Sequence, residues 1–207
     1  MNSKVGMYYN EQFESLLVTW SDSSLIKPIV VKKEDMIAIF DDNDLVSLNI
    51  LKISKETGLN PGLVSHSPEA IKIVNKSLKE LKINPITHSP QLTVAKIVKA
   101  EPIPETHLNL CRVYDGENEL QIICGAKNVV VNSLVVLATI GTWMPNGQQI
   151  KPSKLKGFES FGMLCSANEL KLKNHNFSDG IIILDKNWEK YIGQDFMKVR
   201  EENFESK

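Results

Sequence analysis

Residues 150–170 read IKPSKLKGFESFGMLCSANEL, and the interpretation of the whole second half of the chain starts from this stretch. It opens with three closely spaced lysines: Lys151, Lys154 and Lys156. Gly157 and Gly162 follow, and Ser166 begins a helix-capping pattern that ends at Glu169. Ammonium groups attract phosphates, and glycines let backbone N–H groups come close to them. The stretch therefore predicts a contact with a nucleic-acid backbone.

The composition is that of an ordinary globular protein with a local excess of positive charge. The 207 residues are 42% hydrophobic and 24% charged, which suits one large or two small domains. The formal net charge is -1, yet residues 91–175 hold nine basic and seven acidic side chains, while the segments on either side are slightly acidic. This distribution is compatible with a focused phosphate contact and argues against a protein that coats DNA indiscriminately.

Cysteine usage and hydropathy predict a cytoplasmic protein without a membrane partner. The three cysteines, Cys111, Cys124 and Cys165, are odd in number and lack CxxC spacing, which disfavours a disulfide framework or a cysteine-ligated zinc site. Cys124 and Cys165 are predicted to be small buried residues rather than reactive thiols. No segment approaches the roughly 20 apolar residues that span a bilayer, and the N-terminus has no apolar core of secretory length.

Residues 1–88 are predicted to form an α+β domain. Short apolar runs at 36–40 and 45–53 indicate strands. Ser67 can cap a helix whose first position is Pro68, and apolar residues then recur along one helical face. The lysines on the remaining surface of this helix are interpreted as a solvated face: Lys72, Lys76 and Lys79.

A predicted linker at residues 84–90, which contains two prolines, precedes a series of short strands. The predicted strands are residues 92–100, 108–114, 119–124, 134–141 and 151–156. Asp115-Gly116 predicts a hairpin turn, and Pro145-Asn146-Gly147 predicts a further turn. About five strands at this spacing predict a small antiparallel barrel, and the OB-fold, a five-stranded Greek-key barrel, has this strand count.

Three sequence blocks in this half of the chain carry a family resemblance: residues 121–129, 140–147 and 150–170. In this order they resemble the EMAP-type tRNA-binding domain, which is found at the N-terminus of the bacterial phenylalanyl-tRNA synthetase β subunit and in stand-alone tRNA-binding proteins. The size of the chain and its preceding α+β part are most similar to the stand-alone YtpR family. The resemblance covers roughly residues 90–200.

The chain departs from the family pattern at three places. Residues 101–107 read EPIPETH where the family usually has His-Pro-Asn-Ala-Asp-Lys-Leu, so that a lysine is lost and Glu105 is gained. Phe158 stands where a small aliphatic residue is usual, and Lys127 stands where proline is frequent. The first change bears on the RNA contacts of this loop, and Lys127 would partly offset it.

The resemblance implies a non-catalytic OB barrel at residues 90–200 that holds tRNA or other structured RNA by shape and backbone, with no cofactor and no metal. Lysines would supply charges for phosphates, while serine and asparagine side chains would donate to phosphate or 2′-hydroxyl oxygens. Ser160 and Met163 are the principal contacts that the resemblance implies. The full set of predicted RNA-binding residues is Asn128, Lys151, Lys154, Lys156, Ser160, Met163 and Ser166.

Structural interpretations of several of these residues stay open beside the functional ones. Ser166 is also suited to capping a helical turn, because Glu169 follows three positions later. Met163 and Leu164 would equally fill the end of a barrel. Burial of at least two is predicted for three aromatic residues that could otherwise stack on bases: Trp143, Phe158 and Phe161.

Two functions of other classes compete with RNA binding. One is a protein–protein or chaperone-like module, including a homodimer, built on the same OB-fold; the other is an enzyme within residues 1–88. Residues 157–162 read GxxSxG rather than the GxSxG of a hydrolase nucleophile turn. The four histidines lack the i,i+4 pairing of a helical zinc site, and no phosphate-loop signature occurs. No enzymatic activity is therefore predicted.

Overall fold

The computed structural model describes residues 4–22, 25–173 and 175–203. The chain divides into two compact units, residues 1–89 and residues 90–207. Each unit encloses hydrophobic core residues of its own. Within the described ranges, no helix combines the length and the apolar character needed to cross a membrane.

The described part of the first unit is an antiparallel sheet of six strands together with helix α1 (Pro68–Glu80). The strands are β1 (Gly6–Asn10), β2 (Ser15–Thr19), β3 (Pro28–Lys33), β4 (Met36–Asp41), β5 (Asp44–Ile50) and β6 (Gly62–Leu63). Their order across the sheet is β3-β4-β5-β2-β1-β6, which leaves β3 at one edge. Strands β4 and β5 correspond to the two predicted strands of this unit.

Helix α1 forms where the sequence predicts it. The Ser67 hydroxyl accepts a hydrogen bond from the Ala70 N–H at 3.4 Å, and Pro68 occupies the first turn. Ala70, Val74 and Leu78 lie four residues apart on the helix and are completely buried in the core of the unit. The three lysines of this helix are exposed, as a solvated face requires.

Residues 83–89 form neither helix nor strand, but their first part is bound within the first unit. The Ile86 N–H donates to the Asn75 side-chain oxygen at 2.8 Å, and the Asn75 amide nitrogen donates to the Ile86 carbonyl at 2.9 Å. Ile83 and Ile86 also pack against the core. The first half of the predicted linker is therefore anchored to α1.

The second unit is built on a nearly closed, barrel-like sheet with the order β13-β10-β7-β8-β9. Its strands are β7 (Leu92–Pro102), β8 (Asn109–Tyr114), β9 (Glu119–Cys124), β10 (Leu134–Thr139), β11 (Ser153–Leu155), β12 (Phe158–Ser160), β13 (Gly162–Leu164) and β14 (Ile183–Leu184). Strand β14 also pairs with β10, β11 pairs with β12, and helix α2 (Phe196–Asn203) follows. Strands β7 to β10 correspond to the first four predicted strands. The fifth predicted strand, residues 151–156, forms β11, but its predicted place in the barrel is wrong, because β11 pairs with β12 in a separate ribbon and β13 occupies that place. Strands β12, β13 and β14 and helix α2 are not among the predicted elements.

Hydrogen bonds to β9 bridge the gap between the two ends of this sheet. The Phe161 N–H donates to the Gln121 carbonyl at 2.9 Å, and the Gln121 side-chain amide donates to the Glu159 carbonyl at 2.8 Å. The Ile123 N–H donates to the Ser160 hydroxyl oxygen at 3.1 Å. Because β12 leads directly into β13, these bonds bring the end strand β13 towards β9 and nearly close the barrel.

Strand β10 is buried on both faces, which explains its continuous apolar sequence. Val135 and Leu137 lie in the core inside the barrel, among residues of β7, β8 and β9. The alternate side chains lie in a second core that the C-terminal segment covers. In that core the rings of Trp188 and Phe196 stand 5.2 Å apart.

All three cysteines are free thiols in buried positions. Burial raises the pKa of the Cys111 thiol to about 12, with a smaller contribution from Cys124. Burial also raises the pKa of the Cys124 and Cys165 thiols. A thiol that keeps its proton at neutral pH is a poor nucleophile. The prediction that Cys124 and Cys165 are small buried residues is confirmed.

Candidate nucleic-acid interface

The lysine-rich stretch forms a short exposed hairpin, β11–β12, which we call the lysine hairpin (residues 151–160). Leu155 pairs with Phe158 across a two-residue turn made of Lys156 and Gly157. Both turn residues have positive φ, 51° and 87°. Two positive φ angles are the mark of a type I′ turn, which matches the right-handed twist of a hairpin. Every residue from 151 to 159 is exposed, so the hairpin presents its side chains to solvent.

Two lysines of the hairpin differ in their surroundings from two lysines of strand β7. Lys96 and Lys99 each form an ion pair at 2.9 Å, with Glu189 and Glu101 respectively. Within the described residues, Lys154 and Lys156 have no carboxylate within ion-pair distance, although Glu159 lies opposite Lys154 in the strand register. Their charge is therefore available to an external anion.

Ser160 lies at the base of the hairpin and is 4% exposed. Its hydroxyl accepts from the Ile123 N–H at 3.1 Å and donates to the Gly162 carbonyl at 3.1 Å. The bond to Ile123 ties the hairpin to β9. The structure thus gives Ser160 an anchoring role, and its contact with RNA stays a prediction.

Met163 and Ser166 lie just beyond the hairpin. Met163 is half-buried on β13, opposite Ala138 of β10, and packs against the core beneath the C-terminal segment. The Glu169 N–H donates to the Ser166 hydroxyl at 3.2 Å, and the Glu169 carboxylate accepts from the Ser166 N–H at 2.7 Å. This reciprocal pair is a capping box, so the capping interpretation of Ser166 is confirmed.

Asn128 joins two loops of the second unit. Its amide nitrogen donates to the Ile181 carbonyl at 2.8 Å, and its side-chain oxygen accepts from the Ile181 N–H at 3.0 Å. Gly180 has a φ of 100°, and a Cβ there would clash with the Asn128 side chain. The Asn128 side chain therefore holds the loop around Ile181, and a donor role towards RNA stays a prediction.

The aromatic residues correct one expectation. Trp143 is 2% exposed, but Phe158 and Phe161 are each 38% exposed. The prediction that at least two of the three would be buried is wrong. Phe158 lies on β12, which pairs with β11 outside the barrel sheet, and Phe161 lies between β12 and β13. Gly157, which suits a two-residue hairpin turn, is the sequence signal that could have revealed this exposed hairpin.

The loop that departs from the family pattern, residues 101–107, is compact. The Ile103 N–H donates to the Leu108 carbonyl at 2.8 Å, and the Thr106 hydroxyl donates to the Ile103 carbonyl at 2.8 Å. Ile103 is buried, whereas Glu105 is exposed with a φ of 58°. The loop therefore presents a carboxylate at its surface, and Lys127 is exposed elsewhere in the second unit.

The serine of the GxxSxG stretch and the potential metal ligands were the residues considered for catalysis. The hydroxyl of Ser160, the serine of the GxxSxG stretch, has backbone groups as its bonding partners. Among residues 4–22, 25–173 and 175–203, no three His, Cys, Asp or Glu side chains gather as potential metal ligands. The second unit presents exposed lysines and partly exposed aromatic rings at the surface of its barrel-like sheet.

Known proteins resemble this chain in the same region and beyond it. Residues 92–190 match the family described as "Putative tRNA binding domain". The chain is 31% identical to the "Putative tRNA-binding protein YtpR" of Bacillus subtilis over 191 residues, which are 88% of this chain and 95% of that protein. It is 36% identical over 172 residues to the MG449 homologue of Mycoplasma pneumoniae, covering 79% of this chain and 71% of that protein.

A local similarity links the chain to a much larger protein. It is 44% identical over 99 residues to the β subunit of phenylalanine–tRNA ligase from Streptococcus agalactiae, which is 45% of this chain and 12% of that subunit. The matched domain lies within the second unit, whereas the similarity to YtpR extends over most of both chains. The chain therefore belongs to the YtpR family, with the tRNA-binding-type domain of that family in its second unit.

Proposed function

We propose that this protein binds tRNA without catalysing a reaction, and that residues 90–200 do so as an OB-fold. The observation that carries the proposal is the exposed lysine hairpin, because it lies in the domain that matches the tRNA-binding family. Two of its lysines have no carboxylate partner among the described residues, which suits them to phosphates. The protein would act in the cytoplasm, where tRNA is used.

The strand order supports the OB-fold assignment. Numbered along the barrel, β7, β8, β9, β10 and β13 are first to fifth, and the sheet order is fifth, fourth, first, second, third. The bonds from residues 159–161 to β9 bring the fifth strand towards the third. A meander of three strands followed by a long return to the first strand is the Greek-key connection of such barrels.

The predicted contact residues divide into two groups. Lys151, Lys154 and Lys156 would bind phosphates directly as an electrostatic rim. The other members of the set would act mainly by holding the surface in shape, since their polar groups bond to the protein or their side chains are partly buried: Asn128, Ser160, Met163 and Ser166. Binding of this kind depends on shape and backbone, with little base-specific readout.

The experiment measures the affinity of the full chain for bulk tRNA as a function of salt concentration. The test variant combines Lys151→Gln, Lys154→Gln and Lys156→Asn; Asn-Gly keeps the type I′ turn while the charge is removed. We expect at least a tenfold loss of affinity, because a hydrogen bond to a charged group contributes about 1.5–3 kcal/mol. The salt dependence should also flatten by up to about one unit of slope per lysine.

The matched control removes the same charge from the first unit. It combines Lys72→Gln, Lys76→Gln and Lys79→Gln on the exposed face of α1. We expect the control to retain its tRNA affinity within about twofold, since α1 carries a solvated face. Equal losses in the two triple variants would show that only net charge matters, and an unchanged affinity of the hairpin variant would remove the lysine hairpin from the mechanism.

A further inference from the structure

The tip of the lysine hairpin carries an apolar pair in addition to its cations. Leu155 is 47% exposed and Phe158 is 38% exposed. They are direct cross-strand partners beside the turn, so their side chains emerge from the same face of the ribbon. Two large apolar side chains at the exposed end of a three-residue ribbon lose contact with water only when something binds there.

The ribbon is held firmly enough to serve as a platform. A hairpin with three residues per strand is not stable alone in water. Here the base of β12 is fixed to β9 by the Gln121 side chain, which donates to the Glu159 carbonyl at 2.8 Å, and by the Ser160 hydroxyl. The aromatic ring at position 158 is therefore presented by a tethered strand.

The charge around the apolar pair identifies the occupant. Lys156 lies in the two-residue turn between Leu155 and Phe158, directly beside the apolar pair. Lys154 and its cross-strand partner Glu159 lie on the opposite face of the ribbon, so the charge next to the pair is that of Lys156. A ligand that satisfies both features needs a negative backbone and a flat apolar face, which is the description of a nucleotide with an unpaired base. A second copy of the same tip would bring like charges together and is disfavoured.

We infer that Phe158, supported by Leu155, stacks on an unpaired base of the bound RNA while Lys156 holds an adjacent phosphate. This inference rests on the proposed function and adds to it a preference for RNA with unpaired bases. RNA with accessible bases binds more tightly than a fully paired duplex, whose bases stack only on each other. Aromatic character at position 158 then matters separately from charge.

The test compares Phe158→Leu and Phe158→Trp in the full chain, with bulk tRNA and a blunt RNA duplex without loops as probes. Leucine keeps an apolar side chain at the tip but removes the ring. We expect Phe158→Leu to lose roughly five- to 150-fold in tRNA affinity, the range for loss of base–aromatic stacking. Its affinity for the duplex should stay within about twofold, and its salt slope should be unchanged.

The tryptophan variant gives a direct optical signal. Phe158→Trp should retain tRNA affinity, and its exposed indole should be quenched when tRNA binds but not when the duplex binds. The matched control is Phe13→Leu at an exposed position of the first unit, which should leave tRNA affinity unchanged. Circular dichroism of each variant verifies that the fold is kept.

Several results would overturn the inference. If wild-type protein binds tRNA and the lysine variant does not, but Phe158→Leu binds like wild type, stacking is wrong and the proposed function stands. If Phe158→Leu lost affinity equally for tRNA and for the duplex, Phe158 would maintain the shape of the binding surface rather than stack on a base. A change of sedimenting mass in Phe158→Leu, or flotation of wild-type protein with phosphatidylserine vesicles, would assign the tip to another partner. Failure of wild-type protein to bind tRNA would overturn both proposals.

Discussion

Two hairpins of this protein have similar composition and different electrostatic surroundings. The β3–β4 hairpin of the first unit and the lysine hairpin of the second unit both turn in two residues, and both carry lysines beside exposed apolar side chains. The turn of the first is Glu34-Asp35, whereas the turn of the second is Lys156-Gly157. The first hairpin is therefore acidic at its tip and the second is basic.

The partners of the cations differ as well. Lys33 of the β3–β4 hairpin donates to the Glu80 carbonyl at the end of α1 at 2.9 Å, and Asp35 forms an ion pair with Lys52. These contacts bind the hairpin into the first unit. Lys154 and Lys156 make no comparable contact within the described residues. Lys32 of the first hairpin likewise has no carboxylate within ion-pair distance among the described residues, so the two hairpins differ mainly in the charge of their turn residues.

The largest expected effect comes from reversing charge on both hairpins. Lys154→Glu with Lys156→Asp keeps a turn-compatible Asp-Gly pair and should lower tRNA affinity by roughly 100-fold or more, since attraction to phosphate becomes repulsion. Lys27→Glu with Lys32→Glu, at exposed positions in and beside the first hairpin, should change affinity by no more than about twofold. Filter binding at about 0.1 M salt, where screening extends to roughly 10 Å, measures both.

A similar loss of tRNA affinity in the two charge-reversal variants would contradict the distinction between the hairpins, because it would mean that the first hairpin also contacts RNA. A larger loss in the first hairpin would move the proposed interface to the other unit. Thermal unfolding of each protein checks that the substitutions leave the fold intact.

The next effect concerns the anchor of the lysine hairpin. Ser160→Ala removes the acceptor of the Ile123 N–H and should lower the free energy of unfolding of the second unit by about 1–3 kcal/mol. Ser153→Ala, at the exposed residue that pairs with Ser160 in the register, should stay within about 0.5 kcal/mol of wild type. Urea unfolding provides the two values, and equal stabilities would refute the anchoring role.

The smallest effect concerns the turn. Gly157 has a φ of 87°, and a Cβ at this residue would have no atom within 4 Å, so Gly157→Ala introduces backbone strain without a clash. We expect Gly157→Ala to lower the stability of the hairpin by about 1 kcal/mol. Lys156→Gly, at the neighbouring residue with a φ of 51°, should not destabilise the turn. Amide hydrogen exchange of β11 and β12 compares the two variants, and faster exchange in Lys156→Gly than in Gly157→Ala would contradict this account.

Much of the barrel could be predicted because its strands carry local signals. Strand β9 begins and ends where the sequence predicts, since Asp115-Gly116 marks the turn before it. Helix α1 follows from the Ser67-Pro68 start. Strands β12 and β13 escaped prediction because Gly157, Phe161 and Gly162 divide this stretch into runs of three residues, without the preceding apolar alternation that marks a strand.

The candidate site was predictable in its charge and only partly in its geometry. The exposure of the three hairpin lysines follows from their type and the turn beside them. The burial of Ser160 could not be foreseen, because its partner Ile123 is 37 residues away in the chain. Ser166 was ambiguous between RNA contact and capping, and its bonds to Glu169 show the capping geometry.

The amino-acid order alone determined the family, the succession of strands β7 to β10 and the caps and turns near them, because these depend on neighbours a few residues apart. The tertiary structure decided that Ser160 is enclosed while Phe158 is exposed, although they lie two residues apart on one strand. Burial depends on which distant segment covers a side chain, and β9 covers the base of the hairpin while its tip extends into solvent.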